Sequence, residues 1–290
     1  MKSLFLIPAI AIVTTALTGC GSSKKLADQP IPVAASVAPA PTTIEEAVAN
    51  TNYRTPANRE RDQYRHPVET LQFFGLKPEM TVVELVPGGG WYFEILAPLL
   101  NEKGHYIGTI PPKGVNDYYD KYIVKTNAYM KAHPELEGKA KLVEFNPPKM
   151  VELAPENSVD MVLTFRNVHN WSSNGNQQAV FAAAFKALKP GGVFGVVDHR
   201  ANPKAKSVKG DNGYLLEKDV INWAQKAGFK LDAKSEINAN AKDTKDHPDG
   251  VWALPPSLRH DDKDKEKYLA IGESDRMTLR FVKPAAKAKK

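Results

Sequence analysis

Two clusters of polar residues in the chain combine side chains that can move protons. The first is the run of residues 166–171, RNVHNW, and the second is residues 198–200, DHR. An imidazole accepts a proton near neutral pH, which makes histidine the commonest general base. We take His169, Asp198 and His199 as candidate catalytic residues. The alternative is that His169 only forms a hydrogen bond within its loop while the neighbouring tryptophan packs.

The same three residues are also a conceivable ligand set for a divalent metal, because imidazole and carboxylate groups are common metal ligands. Their spacing is not diagnostic of any metal site, and we predict none.

A glycine-rich turn follows an acidic residue. Glu84 lies in the β-branched run 81–86, which leads directly into Pro87 and then Gly88, Gly89 and Gly90. Glycines between a strand and a helix let the backbone pass close to a ligand, and the helix N-terminus offers unpaired N–H groups. The alternative is a glycine-rich turn with no ligand.

The elements that position these residues alternate between strand-like and helix-like segments, which is typical of a mostly parallel sheet with crossover helices. Loops that leave the carboxyl ends of parallel strands line the ligand crevice, so the polar clusters and the glycine turn are expected at one edge. We predict strands at 81–86, 106–110, 141–145, 160–165, 193–197, 230–237 and 277–282, and helices at 91–100, 177–188 and 217–227.

The order of these strands and helices resembles that of the class I S-adenosylmethionine-dependent methyltransferases. The motifs that carry the resemblance are the glycine turn after the first strand and the turns KPGG (189–192) and AGF (227–229). The resemblance covers about residues 55–284. It implies an α/β fold: a Rossmann-like, seven-stranded, mostly parallel sheet with helices on both faces and a closing antiparallel hairpin. The segments RDQYRHP (61–67) and PGGGWY (87–92) further resemble a bacterial branch of predicted methyltransferases.

The resemblance implies S-adenosylmethionine as cofactor and assigns its contacts. Asn146, after the third strand, matches the residue expected at the adenine, although it could equally cap a turn before Pro147. The cofactor-binding residues implied are Glu84, Gly88, Gly89, Gly90, Asn146 and Asn167.

The run His169-Asn170-Trp171 resembles the His-acid-Trp segment of small-molecule O-methyltransferases, in which the histidine removes the proton of the substrate hydroxyl. Asn170 replaces the acid here. The resemblance therefore implies methyl transfer to a small-molecule nucleophile, with a hydroxyl as one option and His169 as general base.

Two departures from the family pattern bear on the cofactor. Val86 stands where the family has its first loop glycine, and β-branched residues are stiffer. The second strand ends in residues 108–112, GTIPP, without the acid that normally accepts hydrogen bonds from the ribose hydroxyls. A second interpretation is therefore a pseudoenzyme or binding protein that keeps the fold and recognises another ligand.

Two further segments are candidates for closing the site. Asp62, Arg65 and His66 lie just before a segment that we expect to form a further helix and to pack over the site. Their alternative role is an ordinary ion-paired helix start. The polar insert 238–275 between the last two strands is expected to be a surface excursion, with a partly ordered flap over the site as the alternative.

The N-terminal segment resembles an export signal. Residues 4–16 are apolar but too short to span ~30 Å of hydrocarbon, and the following LTGC (17–20) resembles the bacterial lipobox. This implies cleavage before Cys20 and lipid on its sulfur, with a secretory signal and a chance cysteine as the alternative. Gly21, directly after the cysteine, resembles the residue found at this position in lipoproteins that are sorted to the outer membrane. We therefore predict a lipid-anchored protein of the cell envelope, at the outer membrane and facing the periplasm.

We divide the chain into a signal peptide (1–19), a flexible Ser-, Ala- and Pro-rich tether (20–43), the methyltransferase-like domain (44–284) and a basic tail (285–290). The composition, 42% hydrophobic and 25% charged, excludes wholesale disorder, collagen and a polytopic membrane protein. One cysteine excludes a disulfide framework and multi-cysteine metal sites. The expected partners are a small-molecule substrate and, through Cys20, a membrane.

The net charge of +6 does not predict nucleic-acid binding. Lys283, Lys287, Lys289 and Lys290 lie beyond the last predicted strand without a neighbouring acid, so much of the excess belongs to the tail. We predict no nucleic-acid partner.

The lipobox resemblance predicts that Cys20→Ser abolishes lipid attachment and leaves an unprocessed precursor, because the cysteine sulfur is the acceptor. Mass spectrometry of the native and variant proteins measures both effects. A mature native protein with an unmodified Cys20 would contradict the expectation.

Overall fold

The strand-like segments of the sequence form seven strands of one sheet. The structure, a computed structural model, describes residues 39–205, 209–259 and 264–285; the signal peptide, Cys20, most of the tether and most of the basic tail lie outside these ranges. The strands are β1 (Thr81–Leu85), β2 (His105–Ile110), β3 (Ala140–Glu144), β4 (Val159–Phe165), β5 (Leu188–His199), β6 (Lys230–Ser235) and β7 (Arg276–Val282).

The helices begin at local signals that the sequence carries. Thr43 and Glu46 form a capping box at the first helix, and Asn116 caps the longest. The described helices are α1 (Ile44–Ala49), α2 (Pro56–Arg59), α3 (Asp62–Arg65), α4 (Pro67–Phe74), α5 (Phe93–Leu99), α6 (Asp117–Ala132), α7 (Val168–Ser173), α8 (Gln177–Ala187), α9 (Glu217–Lys226) and α10 (Lys265–Ile271).

The sheet has the strand order β3-β2-β1-β4-β5-β7-β6. The pairs that join β1, β2, β3, β4 and β5 are parallel, whereas β7 runs antiparallel between β5 and β6. This confirms the predicted Rossmann-like, mostly parallel sheet with a closing antiparallel hairpin. It also brings the carboxyl ends of β1, β4 and β5 to one edge.

Helices cover both faces of the sheet, as predicted. One apolar cluster packs α1, α4 and α5 against one face, and a second packs α7, α8 and α9 against the other. Close packing at the centre requires a residue without a side chain in β5: a Cβ on Gly195 would lie 2.9 Å from the Phe74 ring.

Two predictions need correction. The KPGG turn (189–192) is not a separate turn, because β5 already begins at Leu188 and includes it, with irregular register opposite β4. The insert 238–275 is not a surface excursion. It has its own buried cluster of Ala253, Leu254 and Tyr268, and its buried Asp243 accepts a hydrogen bond from the Tyr214 hydroxyl.

Among residues 39–205, 209–259 and 264–285, no helix is both long and apolar enough to cross a lipid bilayer.

Candidate active site

A cavity of about 560 Å³ opens at the carboxyl edge of the sheet, where the loops after β1 and β4 meet. This volume is in the range of small-molecule sites. Its walls come from α3, the loop 86–89, the first half of α6, the loop 165–170, and residues 251–259 of the insert. The insert therefore forms a wall of the cavity.

The two strand exits at this cavity have strained backbone. Val86 and Arg166 follow β1 and β4 with φ of 49° and 61°, in the left-handed region that favours glycine. Val86 thus adopts a backbone conformation that favours glycine, at a cost of ~1–2 kcal/mol for a residue with a Cβ. The Thr109 hydroxyl accepts a hydrogen bond from the backbone N–H of Val86 at 2.9 Å.

Asn167 holds the same loop from the other side. Its side-chain amide donates to the backbone carbonyls of Leu85 and Val86 at 2.9 and 3.2 Å, and the residue also lines the cavity. Asn167 therefore fixes the loop that a ligand would contact.

The three glycines of the turn differ in their positions. Gly88 and Gly89 line the cavity, whereas Gly90 is not among the lining residues. Gly90 has φ of 85°, and its N–H donates to the carbonyl of Pro87. The turn itself therefore requires a glycine at position 90, because other residues rarely adopt this φ.

Glu84 is a buried acid at the end of β1 that lines the cavity. Burial raises the pKa of Glu84 to about 8, although the Tyr106 hydroxyl, which donates to the carboxyl at 2.7 Å, lowers it in part. Glu84 is therefore protonated at neutral pH and can ionise when a cation enters the cavity.

His169 and Asp198, which come from the two polar clusters expected at the same edge of the sheet, lie in direct contact. His169 Nδ1 lies 2.9 Å from Asp198 Oδ1, and both side chains are buried. The N–H groups of Val168 and His199 also donate to this carboxylate, at 2.7 and 2.8 Å. Because a carboxylate oxygen accepts the hydrogen bond, His169 Nδ1 is assigned as the donor, and its Nε2 remains as a proton acceptor.

His199 lies beside this dyad, its ring centroid 5.2 Å from that of His169, and both histidines line the cavity. Its Nδ1 is hydrogen-bonded to the Ser274 hydroxyl. Burial, and then the nearby His169 and arginines, holds the pKa of His199 well below its usual range. His199 is therefore neutral.

His169, Asp198 and His199 form the one cluster in the described part of the chain whose potential metal-ligand atoms all lie within 4.8 Å of one another. The carboxylate of Asp198 already accepts from backbone and imidazole N–H groups. Two imidazoles alone fall short of the three protein ligands of a catalytic zinc site. The arrangement fits a proton-transfer site better than a metal site.

A cluster of four guanidiniums surrounds one buried carboxylate at the cavity wall. The side chains that approach Glu273 are Arg61 at 2.6 Å, Arg65 at 3.1 Å, Arg166 at 3.7 Å and Arg276 at 3.1 Å. Burial alone would raise the pKa of Glu273, but these cations together hold it well below its usual range. We call these five residues the Glu273 cluster.

The remaining predicted site residues lie elsewhere. Asn146 is not a lining residue; its N–H donates to the carbonyl of Met150 at 2.8 Å, in a turn. Asp62 pairs with Arg54 at 2.6 Å, and His66 ends α3 in a left-handed conformation. Of the α3 candidates, only Arg65 reaches the cavity.

Sequence reasoning missed several lining residues. Arg166 stands inside the run chosen for His169 but was not selected, and Ser274 lies at the end of the insert. Tyr118, Tyr119 and Tyr122 line the cavity from α6, a helix that was not predicted. Only the density of tyrosines in residues 118–122 could have pointed to them.

The raised pKa of Glu84 predicts a pH-dependent stability. Because the folded protein keeps a proton that the unfolded chain releases between pH ~4.5 and ~8, the free energy of unfolding should fall across that window. Glu84→Gln stays neutral, so its stability relative to the parent should be greater at pH 9 than at pH 5, measured by urea unfolding. The exposed Glu79→Gln is the control, and an equal difference at both pH values would contradict the prediction.

No protein-family model matches the chain, and no curated protein matches it in sequence. Solved structures do match in fold. An S-adenosylmethionine-dependent methyltransferase from Aquifex aeolicus is 16% identical, with 79% of this chain and 94% of that chain covered and a TM-score of 0.51.

Two other matches carry different names. A putative sarcosine dimethylglycine methyltransferase from Galdieria sulphuraria is 11% identical, covering 79% of this chain and 85% of that one at a TM-score of 0.51. The [4+2]-cyclase SpnF is 13% identical; the match covers 82% of this chain and 86% of that chain, with a TM-score of 0.53. Identities this low establish the fold and not the activity. The chain has the Rossmann-like methyltransferase fold.

Proposed function

We propose that this protein transfers a methyl group from S-adenosylmethionine to a small-molecule nucleophile, with His169 as general base and Asp198 as its positioning residue. The observation that carries the proposal is that His169, paired with the buried Asp198 at 2.9 Å, lines the same cavity as Glu84, Gly88 and Gly89. A proton acceptor, an acid and an open glycine backbone thus share one enclosed volume.

The residues present fit the charged end of the cofactor. Glu84 offers a carboxyl whose ionisation a cationic ligand would favour, and Gly88 and Gly89 leave backbone exposed in the cavity. These three residues would hold the methionine portion. The ribose end fits less well. Ile110 ends β2 and Pro111 follows it where an acid would be expected, and both line only a small apolar pocket.

When bound, S-adenosylmethionine supplies an electrophilic methyl group on a positively charged sulfur. With the donor held by Glu84 and the Gly88–Gly89 backbone, transfer of this methyl group to an acceptor oxygen would leave S-adenosylhomocysteine as the second product. The acceptor's proton passes to His169 Nε2. The protein supplies alignment, and the Asp198 carboxylate stabilises the imidazolium that forms.

Several contacts keep this base in one orientation. Asp198 is fully buried, and its carboxylate accepts hydrogen bonds from backbone N–H groups of α7 and of the end of β5, so the side chain cannot rotate freely. Trp252 of the insert lies edge-on to His169, with centroids 6.2 Å apart, and limits access of water from that side. A fixed imidazole loses little free energy to reorganisation during proton transfer.

A binding protein or pseudoenzyme of the cell envelope remains the second candidate function. The missing ribose acid favours it, as does the fact that SpnF, a structural neighbour, is named as a cyclase. Lipid attachment at Cys20 and location at the outer membrane, facing the periplasm, are part of both proposals. Only direct tests of donor binding and methyl transfer separate the two.

Donor binding is tested by calorimetric titration of the full chain in detergent with S-adenosylmethionine and S-adenosylhomocysteine. Gly89 is the best position for a matched variant, because its φ is ordinary and an added Cβ would lie 3.6 Å from Tyr122. Gly89→Ala should weaken binding ~10-fold by narrowing the approach to the backbone, with unfolding unchanged. Gly88 and Gly90 are poorer choices, since their positive φ makes any side chain strained. Absence of binding to the parent protein would contradict the proposed enzyme.

The base is tested with His169→Gln and Asp198→Asn. The rate of methyl transfer to hydroxyl compounds that accept radiolabelled methyl should fall ~10²- to 10⁴-fold for His169→Gln, with donor affinity nearly unchanged. The loss should be partly restored at high pH, where the acceptor ionises unaided. Asp198→Asn should reduce the rate and change its pH profile, because an amide no longer fixes the imidazole tautomer. An unchanged rate in His169→Gln would exclude its role as base.

A further inference from the structure

The cavity that would hold the methyl donor is strongly cationic. The basic residues that line it are Arg61, Arg65, Lys125, Arg166 and Arg259. Among the described lining residues, Glu84 is the only carboxylic acid, and its carboxyl accepts a hydrogen bond from the Tyr106 hydroxyl. The five lining cations therefore outnumber the acidic groups of the lining.

The Glu273 cluster does not neutralise this charge. Its single carboxylate faces four guanidiniums, of which Arg61, Arg65 and Arg166 also line the cavity. Desolvated cations are costly unless they are paired and hydrogen-bonded. An additional anion in the cavity would lower this cost.

Arg65 has a free hydrogen-bonding group at this wall. It is 6% exposed, its Nε donates to Glu273, and its guanidinium carbon lies 4.7 Å from the centre of the Trp91 ring. Its Nη2 is buried and has no hydrogen-bond partner. Buried guanidinium donors are normally satisfied, and this one belongs to a residue that lines the cavity, so an acceptor group on a ligand would supply the missing hydrogen bond.

The cluster lies next to the proposed base. Arg166 precedes His169 by three residues in the same loop, and Ser274, which follows Glu273, is hydrogen-bonded to His199. The charges of Arg166, Arg276 and Arg65 all act on His199 and lower its pKa. An anion held by these arginines would therefore lie beside the two histidines.

We infer that the methyl acceptor carries an anionic group, a carboxylate or a phosphate, which binds at Arg65 and Arg166 while its nucleophile faces His169. The inference rests on the proposed function. The donor does not account for the charge: S-adenosylmethionine has one carboxylate but also an ammonium and a sulfonium, so it brings a net positive charge. Guanidinium pairs carboxylate and phosphate groups with two parallel hydrogen bonds, which fits both groups.

The test titrates the full chain in detergent with inorganic phosphate and with succinate by calorimetry, alone and with saturating S-adenosylhomocysteine. The variant is Arg166→Gln. The side chain of Arg166 is 28% exposed, and its 3.7 Å contact to Glu273 is the longest of the four arginine contacts, so folding should depend on it least. Arg59→Gln removes the same charge from an exposed position outside the lining and is the matched control. Unfolding curves verify that both variants fold.

One probe at least should bind the parent protein at one site, with S-adenosylhomocysteine present as well as absent. Arg166→Gln should weaken that binding ~10-fold or more, and Arg59→Gln should leave it unchanged. Failure of both probes to bind, or equal effects of the two variants, would overturn the inference.

The same titrations separate the two sources of an anion. If S-adenosylhomocysteine displaces the probe but 5′-methylthioadenosine, which lacks the carboxylate, does not, the arginines serve the donor and the acceptor assignment is wrong. If the probe binds and S-adenosylhomocysteine does not, the proposed methyl transfer fails while the anion site stands.

Discussion

The geometry of the cavity depends on one buried carboxylate. Glu273, at the end of the insert, draws together α3 through Arg61 and Arg65, the exit of β4 through Arg166, and the start of β7 through Arg276. These segments lie up to 212 residues apart in the chain. Without this carboxylate, four guanidiniums would face one another in a partly desolvated space, and the insert would lose its main link to α3.

Around this centre, the loops that would contact a ligand are fixed by hydrogen bonds to backbone groups. Asn167 donates to the carbonyls after β1, Thr109 accepts from Val86, and Asp198 accepts from the first turn of α7. These contacts hold Val86 and Arg166 in left-handed conformations that their side chains disfavour. Strain at two neighbouring strand exits, both on the cavity, is typical of functional sites. These hydrogen bonds hold the loops at the cavity in one arrangement in the protein alone.

Most of the sheet could be predicted because its signals are local. The β-branched runs, the glycine turn after β1 and the helix stops each occupy a few adjacent residues, and the rule that parallel strands share a carboxyl edge then brings His169 to Asp198. Asn146 was open to two readings because a turn before proline and a ligand contact use the same residue type. The structure puts it in the turn.

What could not be predicted depends on long-range pairing. The insert is polar along its sequence, which resembles a surface segment, yet its Asp243, Glu273 and Asp275 are buried because distant partners satisfy them. Nothing near Arg61 or Arg65 in sequence identifies Glu273 as their partner. The cavity is electropositive because the tertiary structure gathers several arginines around this single carboxylate, and the amino-acid composition does not indicate such a cluster. Local sequence patterns therefore predict the fold and the shared sheet edge of His169 and Asp198. The arginine cluster, where the acceptor is proposed to bind, is visible only in the tertiary structure.

We propose the cavity at the strand ends as the methyl-donor site. A crystal structure of the full chain grown with S-adenosylhomocysteine tests this assignment most directly. We expect ligand density within the cavity, against the backbone of Gly88 and Gly89, with Glu84 as its acidic neighbour. An empty cavity at a saturating concentration of the ligand, or density bound at another place on the protein, would contradict it.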